Sequence, residues 1–215
     1  MGRGLFISLE GVDGTGKSTQ AGVLAAHLRE AGYEVIHTHE PGGTPISEGI
    51  RGVLLSTDHA QMSPVTELLL YNAARVQHLE EKIIPGLNAG RIVVTDRFTD
   101  STIAYQGYGR GIDLDLILSI DLIATQGMRP DITILLDLDV ETGLRRNKEV
   151  NKVDRLELED IAFHRKVREG FLALASSEPE RFFIVDAAQP VDAVAEMIRR
   201  KVSEILADRL PSRKG

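Results

Sequence analysis

The sequence predicts an α/β fold in which a five-stranded parallel sheet is covered by helices on both faces. Short apolar runs alternate with helical patterns along the 215 residues, as is typical of parallel sheets built from strand–helix–strand units. Residues 92–94 and most of 132–136 are apolar, as expected of strands buried on both sides. Residues 11–18 form a glycine-rich phosphate loop between the first strand and the first helix, which predicts a nucleotide site at that edge of the sheet.

The remaining elements follow in chain order from the same patterns. The predicted strands are residues 4–10, 33–38, 91–95, 131–137 and 181–186. The predicted helices, which place apolar residues at helical spacing, are residues 17–31, 46–55, 64–88, 100–107, 113–127, 157–176 and 190–208. No repeat or low-complexity linker interrupts them, so residues 1–215 are predicted to form a single domain.

A charged segment at residues 145–155 departs from this regular pattern, since it has little apolar periodicity. Such a segment is ordinarily a solvated turn between two helices. It is also typical of a lid, here about residues 145–156, that brings cations onto bound phosphates. Taken alone, the segment does not decide between these two interpretations.

Composition excludes several classes of protein. The 25 basic and 32 acidic residues give a net charge of −7, which argues against a protein that coats nucleic acid through bulk charge. The chain has no cysteine, which excludes disulfides and thiolate metal sites. It shows neither a secretory signal nor an apolar run near the roughly 20 residues that a membrane span needs. We therefore expect a cytoplasmic protein that binds neither nucleic acid nor membrane.

The phosphate loop is the strongest functional signal. Backbone N–H groups of such a loop surround an anion, and the dipole of the following helix favours negative charge. We expect Lys17 to reach the β- and γ-phosphates of a nucleoside triphosphate, and the Ser18 hydroxyl to bind Mg²⁺. The predicted triphosphate site comprises Gly11, Val12, Asp13, Gly14, Thr15, Gly16, Lys17, Ser18 and Thr19.

A second signal follows the third predicted strand, where Asp96 and Arg97 come directly after an apolar run. A carboxylate at this place in a phosphate-loop protein faces Mg²⁺ and its waters, so Asp96 is predicted to be a metal residue. The alternative is a strand-end residue that caps a turn. The planar guanidinium of Arg97 is suited to a phosphate.

Polar and aromatic residues between positions 40 and 106 indicate a second ligand. Tyr71 and Arg75 share one helix face, which suits a ring that stacks on a base and a guanidinium that hydrogen-bonds its oxygens. On spacing alone, the favoured interpretation is instead a core Tyr71 and a surface Arg75. Further hydroxyl and amide groups follow Arg97 at Ser101, Thr102, Tyr105 and Gln106.

Two other patterns predict no chemistry. Residues 151–154 match the N-K-x-D guanine-recognition motif, but no buried strand directly precedes them. His37 and His39 alternate along a predicted strand without a partner carboxylate pattern, so we expect a structural or surface role for both.

At these motifs the chain resembles the thymidylate kinase family over essentially its whole length. The phosphate loop is shared by many enzymes, whereas residues 40–44 and 96–106 are far more specific. The motifs that carry the resemblance are Glu10–Thr19, Glu40–Thr44, Glu48–Arg51, Glu67–Tyr71, Ala74-Arg75, His78, Ile84-Pro85, Asp96–Phe98, Ser101, Ala104–Gln106 and Asp154–Glu157.

The resemblance implies a three-layer P-loop kinase fold with a short lid. It also implies a homodimeric enzyme that transfers the γ-phosphoryl group of ATP to dTMP, giving dTDP for dTTP synthesis, with Mg²⁺ as cofactor. The catalytic residues that it implies are Lys17, Arg97, Arg146 and Arg155. The residues that it places around dTMP are Asp13, Pro41, Arg51, Tyr71, Arg75, Arg97, Ser101, Thr102, Tyr105 and Gln106.

Some positions depart from the pattern of the family. His39 stands where bacterial members usually have Arg, and Gly14 stands where some members carry Arg inside the loop. Lys148 and Val150 occupy lid positions that often hold Arg. The guanidiniums left in the predicted lid, any of which could be the transition-state cation, are those of Arg145, Arg146 and Arg155.

Two other functions are weighed against this one. A kinase for dUMP, CMP or AMP would use the same phosphate loop, but Tyr71, Arg75 and Tyr105 favour a pyrimidine deoxynucleotide. A GTP-binding switch needs N-K-x-D after a strand and an Asp-x-x-Gly segment, and the sequence shows neither in that context. The apolar face of the helix predicted at residues 64–88 fits either a core or a dimer interface.

Overall fold

Five parallel strands form one sheet in a computed structural model that describes residues 3–149 and 154–209. Each predicted strand overlaps an observed one, so the predicted parallel sheet is confirmed. Across the sheet the strand order is β2-β3-β1-β4-β5. The strands are β1 (Phe6–Glu10), β2 (Val35–His39), β3 (Ile92–Asp96), β4 (Ile132–Asp137) and β5 (Phe182–Asp186).

Helices connect the strands and largely follow the predicted ranges. They are α1 (Lys17–Glu30), α2 (Pro45–Leu55), α3 (Pro64–His78), α4 (Ile84–Asn88), α5 (Thr99–Thr102), α6 (Leu114–Thr125), α7 (Val140–Glu149), α8 (Ile161–Ser177) and α9 (Val191–Arg209). A π-helical turn at Leu79–Ile83 joins α3 to α4, and another at Ile103–Gly109 extends α5. A 3₁₀ turn at Thr57–His59 follows α2.

Helix α7 was not among the predicted helices. Val140 and Leu144 are the only large apolar residues in its ten-residue sequence, so the apolar periodicity that marks the other helices is weak there. The charged segment at 145–155 therefore begins inside a helix and not in a turn. Residues 150–153, with Val150 and most of the N-K-x-D match, lie outside the described residues.

Local sequence explains where α2 and α3 begin. The side chains of Thr44 and Ser63 accept hydrogen bonds from backbone N–H groups in the first turn, which satisfies donors that have no partner within the helix. Pro45 and Pro64 come next, at the position where a missing N–H costs nothing.

Alternate side chains of the strands are buried on opposite faces of the sheet. On one face, Ile7 and Ile134 belong to a core with α1 and α9, to which the helices contribute Ala21, Leu24, Leu28, Val194, Ile198, Val202 and Leu206. On the other face, Phe6 packs with the α3–α4 region and Leu135 with α8. This arrangement is the predicted three-layer α/β/α architecture.

The strand order brings the two phosphate signals together. β1 lies between β3 and β4, and Leu9 is in register with Asp96. Because the phosphate loop follows β1 and Asp96 ends β3, both lie at the carboxyl edge of the sheet, where ligands bind in such folds. Among the described residues, none of the helices combines the length and the apolar character required to cross a bilayer.

Candidate active site

A cavity of about 660 Å³ lies beyond the carboxyl ends of β1, β2 and β3. Four of the predicted site residues, Gly11, Val12, Thr15 and Arg155, do not line it. Those that do are Asp13, Gly14, Gly16, Lys17, Ser18, Thr19, Pro41, Arg51, Tyr71, Arg75, Asp96, Arg97, Ser101, Thr102, Tyr105, Gln106 and Arg146. One cavity therefore collects residues that are spread over most of the chain.

The phosphate loop has the backbone geometry that its glycines predict. Gly14 and Gly16 have φ values of 78° and 88°, a left-handed conformation that residues with a Cβ rarely adopt. Gly16 directly precedes α1, whose N-terminus points N–H groups at the loop. The Lys17 Nζ donates to the Val12 carbonyl oxygen at 2.8 Å. Burial lowers the pKa of Lys17 to about 8, and the neighbouring Arg97 adds to the lowering.

Ser18 and Asp96 lie side by side across the loop. The Ser18 hydroxyl donates to one carboxylate oxygen of Asp96. The other Asp96 oxygen is buried and has no hydrogen-bond partner among the described residues. A hydroxyl beside a carboxylate with a free oxygen is a donor set suited to a hard cation such as Mg²⁺. No group of three or more His, Asp or Glu side chains in the described ranges could hold a metal by itself.

Arg97 lies between the loop and the rest of the cavity. Its backbone φ is 72°, a strained value for a residue with a side chain. Its guanidinium donates to the Gly11 carbonyl at 3.1 Å, to the Ser101 hydroxyl at 3.0 Å and to the Asp13 carboxylate at 2.5 Å. Burial alone raises the pKa of Asp13, but the charges of Arg97 and Lys17 outweigh it and hold that pKa well below its usual range.

Tyr105 completes this cluster. Its hydroxyl donates to the second Asp13 oxygen at 2.9 Å and accepts from Arg97 at 3.1 Å. The guanidinium carbon of Arg97 lies 4.9 Å from the centre of the Tyr105 ring, within cation–π range. The side chains of Asp13, Arg97 and Tyr105, which come from the phosphate loop, the residue after β3 and the π-helical turn, thus hold one another at fixed positions.

Arg75 is buried at the far end of the cavity, with 2% of its surface exposed. It donates to the Glu40 carboxylate at 2.8 Å, to Asp121 at 3.1 Å and to the Thr102 hydroxyl at 2.9 Å. Tyr71, by contrast, is half-buried and lines the cavity. Of the interpretation that spacing alone favoured, the surface Arg75 is therefore wrong, because the network holds the guanidinium in a buried position. Tyr71 packs against the core cluster that contains Phe171 and also lines the cavity.

Comparison with known proteins decides the family. A sequence model of the family described as thymidylate kinase matches residues 9–198. The chain belongs to the thymidylate kinase family. A thymidylate kinase from Geotalea uraniireducens is 50% identical over 211 residues, which cover 95% of this chain and 99% of the relative. One from Pseudomonas fluorescens is 52% identical over 195 residues, covering 91% and 93%.

A solved structure agrees with this assignment. The crystal structure of thymidylate kinase from Ehrlichia chaffeensis has a TM-score of 0.77 and 34% sequence identity, covering 94% of this chain and 99% of that one. These comparisons confirm the predicted family, the predicted P-loop kinase fold and the predicted thymidylate kinase function.

Within this thymidylate kinase fold, the predicted catalytic arginines fall in different places. Arg97 and Arg146 line the cavity, and Arg146 also donates to the Ala187 carbonyl at 3.0 Å. Arg155 is instead buried, pairs with Glu67 at 2.5 Å and donates to the Leu54 carbonyl at 3.1 Å. The structure therefore does not bring Arg155 to the cavity surface with the other predicted catalytic residues.

The predicted substrate residues at positions 41, 51 and 106 also have protein partners. Arg51 donates to the Pro41 carbonyl at 2.7 Å, which ties α2 to the loop after β2. Gln106 donates to Glu67 at 2.8 Å. Glu67 thus contacts both Gln106 and Arg155, so it links the π-helical turn at Ile103–Gly109 to the segment that follows α7.

Sequence reasoning missed the role of Glu10. This carboxyl at the end of β1 is buried and accepts from the Phe98 N–H and from the Ser101 hydroxyl, each at 2.6 Å. Burial raises its pKa to about 8, and the charge of Asp100 adds to the rise. Glu10 thereby fixes Phe98 and Ser101, which directly follow Arg97 and bind it, respectively. The sequence did contain a signal for this role, because Glu10 is an acidic residue at the end of an apolar run.

A structural or surface role was expected for both histidines, and the structure adds a carboxylate partner for His39 that the sequence did not predict. His37 and His39 both line the cavity, and the His39 Nε2 lies 2.8 Å from a Glu48 carboxylate oxygen. The partner carboxylate comes from the following helix, nine positions on, so the strand pattern could not reveal it. Glu48 also accepts from the Gly43 N–H at 2.7 Å.

Proposed function

We propose that the chain transfers the γ-phosphoryl group of ATP to a phosphate oxygen of dTMP, giving dTDP, as a cytoplasmic homodimer that uses Mg²⁺. The position of Arg97 is the observation that carries this proposal. Its guanidinium contacts the phosphate loop at Gly11 and the opposite wall at Ser101 and Tyr105. A guanidinium between the phosphate loop and this wall would face the phosphates of ATP and of dTMP.

The donor half is the phosphate loop. ATP phosphates would lie on residues 11–19, with the helix N-terminus and the Lys17 ammonium balancing their charge. Ser18 and Asp96 would hold Mg²⁺, which neutralises charge on the phosphate oxygens when it is bound. The support for this assignment is the buried Asp96 oxygen, which has no hydrogen-bond partner within residues 3–149 and 154–209.

The acceptor half lies between α3 and the helix that begins at Thr99. Tyr71 would stack on the thymine, and Arg75 and Gln106 would face its polar edge. Tyr105 would lie against C2′ of the sugar, and Asp13 would face the sugar hydroxyl. Arg75 already donates to four side chains and to the Phe98 carbonyl, so a thymine oxygen would share one of its N–H groups. The other dTMP contacts would come from Pro41, Arg51, Ser101 and Thr102.

No general base is needed in this reaction. The acceptor phosphate is already ionised near neutral pH, so catalysis consists of positioning and of charge stabilisation in the transition state. Lys17, at the start of α1, and Arg97, directly after β3, supply positive charge. We assign the third protein cation to Arg146, because it lines the cavity whereas Arg155 is committed to Glu67.

The homodimer is assigned to the outer faces of α2, α3 and α6. These helices pack side by side through α3 and expose large apolar residues to solvent. The residues concerned are Ile46, Val53, Val65, Leu69, Leu118, Leu122 and Ile123, of which Ile123 is 80% exposed. Large apolar side chains exposed on neighbouring helices are typical of a protein interface.

The test is ADP release from the purified chain with ATP, Mg²⁺ and one nucleoside monophosphate at a time. We expect fast turnover with dTMP, slower turnover with dUMP, and little with CMP, AMP or no acceptor. Preference for another monophosphate would replace dTMP as the substrate. Acceptor-independent GTP hydrolysis would contradict the kinase assignment altogether. Light scattering on the same sample would report the subunit number.

A further inference from the structure

Helix α7 touches the phosphate loop through two glycines. A Cβ added to Gly14 would lie 2.0 Å from the Gly143 carbonyl oxygen, and a Cβ added to Gly143 would lie 2.5 Å from the Asp13 carbonyl oxygen. Real Cβ atoms do not approach other atoms this closely, and a backbone oxygen cannot rotate away as a side chain can. The loop and the helix therefore meet backbone against backbone.

The same face of α7 carries side chains into the cavity. Arg146 and Asn147 follow Gly143 by three and four residues, so the three positions lie on one side of the helix. Both side chains line the cavity. The closeness of the Gly143 contact thus sets how far the Arg146 guanidinium stands from the phosphate loop.

The contact also leaves no room for a charged side chain at position 14 of the loop. A side chain at position 14 would meet the α7 backbone, so an arginine there would have to displace the helix. The cations beside the loop are Lys17 and Arg97, and α7 brings Arg146 to the same cavity.

We propose that Gly143 is a positioning residue for phosphoryl transfer. Without a Cβ, it allows α7 to rest on the Asp13–Gly14 peptide and so holds Arg146 toward the transferred phosphoryl group. Helix propensity does not explain a glycine in the middle of α7, because alanine is the better helix former. This inference rests on the proposed function of the cavity and adds a residue that contacts neither nucleotide.

The test compares Gly143→Ala with Gly52→Ala. Gly52 also lies in a helix, but an added Cβ there would meet no heavy atom within 4 Å. We expect Gly52→Ala to keep wild-type kinetics. Gly143→Ala should lower kcat by about 10- to 100-fold, the scale of an ångström-sized misplacement of a catalytic group, with KM for dTMP within about twofold of wild type.

A double variant tests whether Gly143 acts through Arg146. If it does, Gly143→Ala combined with Arg146→Ala should have the kcat of Arg146→Ala alone, since neighbours that act as one unit are not additive. Multiplied losses would overturn the positioning role, and so would a wild-type kcat in Gly143→Ala. If Gly143→Ala melts below wild type, the kinetics are repeated at a temperature where its circular dichroism spectrum matches wild type, with the same result expected.

These outcomes separate the inference from the proposed function. Failure of the wild-type protein to release ADP in a dTMP-dependent way would remove the proposed function. Normal dTMP-dependent turnover in both wild type and Gly143→Ala would leave that function in place and remove only the role of Gly143.

Discussion

The two ends of the cavity are built in opposite ways. At the acceptor end, buried charges hold one another: Arg75 pairs with Glu40 and Asp121, and Glu40 also contacts His78 at 3.0 Å. At the donor end, the shape comes from backbone, with a glycine loop against the glycine of α7. The acceptor end is therefore fixed by side-chain pairing, and the donor end by how closely two segments approach.

This difference predicts how each end responds to substitution. Removing one member of a buried charged network leaves an uncompensated charge and costs about 3–5 kcal/mol of folding stability. Removing Arg146, which has a carbonyl partner but no carboxylate partner among the described residues, leaves no such charge behind. Substitutions at the acceptor end should therefore affect both stability and binding, whereas those at the donor end should affect mainly rate.

The largest effect on rate is expected for Lys17→Ala. Loss of the ammonium that faces the transferred phosphate should lower kcat by about 1000-fold, at the upper end for a single charge donor in the transition state. The melting temperature should fall only slightly, because Lys17 pairs with Asp13 at 3.8 Å, and Arg97 and Tyr105 still contact that carboxylate when the ammonium is removed. Measured ADP release should show this loss, while Lys166→Ala, an exposed position on α8, should behave as wild type. A large fall in stability for Lys17→Ala would break the contrast between the two ends.

The largest effect on stability is expected for Arg75→Ala. This variant leaves the buried Glu40 and Asp121 carboxylates without their guanidinium partner. The free energy of unfolding in urea should therefore fall by about 3–5 kcal/mol. KM for dTMP should rise as well. If the unfolding free energy were unchanged, the network could not be what fixes the acceptor end.

Arg146→Ala is the matched change at the donor end. It should lower kcat by about 10- to 1000-fold, the range for loss of one transition-state charge donor, while the urea midpoint stays near that of wild type. An unchanged kcat would show that the third cation is not Arg146. In that case Arg155→Ala, measured alongside, would be the variant to lose activity.

A smaller effect is the pH dependence of stability through Asp121. Burial raises the pKa of this carboxyl to about 6 from its usual 3.8. The native protein therefore binds more protons than the unfolded chain between about pH 4 and pH 6, so this group makes stability fall as pH rises through that window. The difference in unfolding free energy between wild type and Asp121→Asn should shift by about 1–3 kcal/mol across it. A constant difference would mean that Asp121 titrates normally.

Much of the fold was predictable because its signals are local. Strand and helix periodicity, the capping residues Thr44 and Ser63, and the phosphate loop each lie within a short stretch of chain. The predicted ranges did not include helix α7, because its sequence has a weak apolar pattern and its contacts are with the loop and α8. The burial of Arg75 was not predicted either, since its partners Glu40 and Asp121 are 35 and 46 residues away.

The sequence by itself determined the fold class, the triphosphate loop and the membership of a kinase family, since each depends on residue types at fixed short spacings. Only the tertiary structure decided which charged residues face the cavity. It turned Arg155 toward Glu67, drew Arg75 into a buried network and placed Gly143 on the phosphate loop. The reason is physical: a charge is positioned by whichever opposite charge or close backbone contact the fold brings to it, and those partners are distant in sequence.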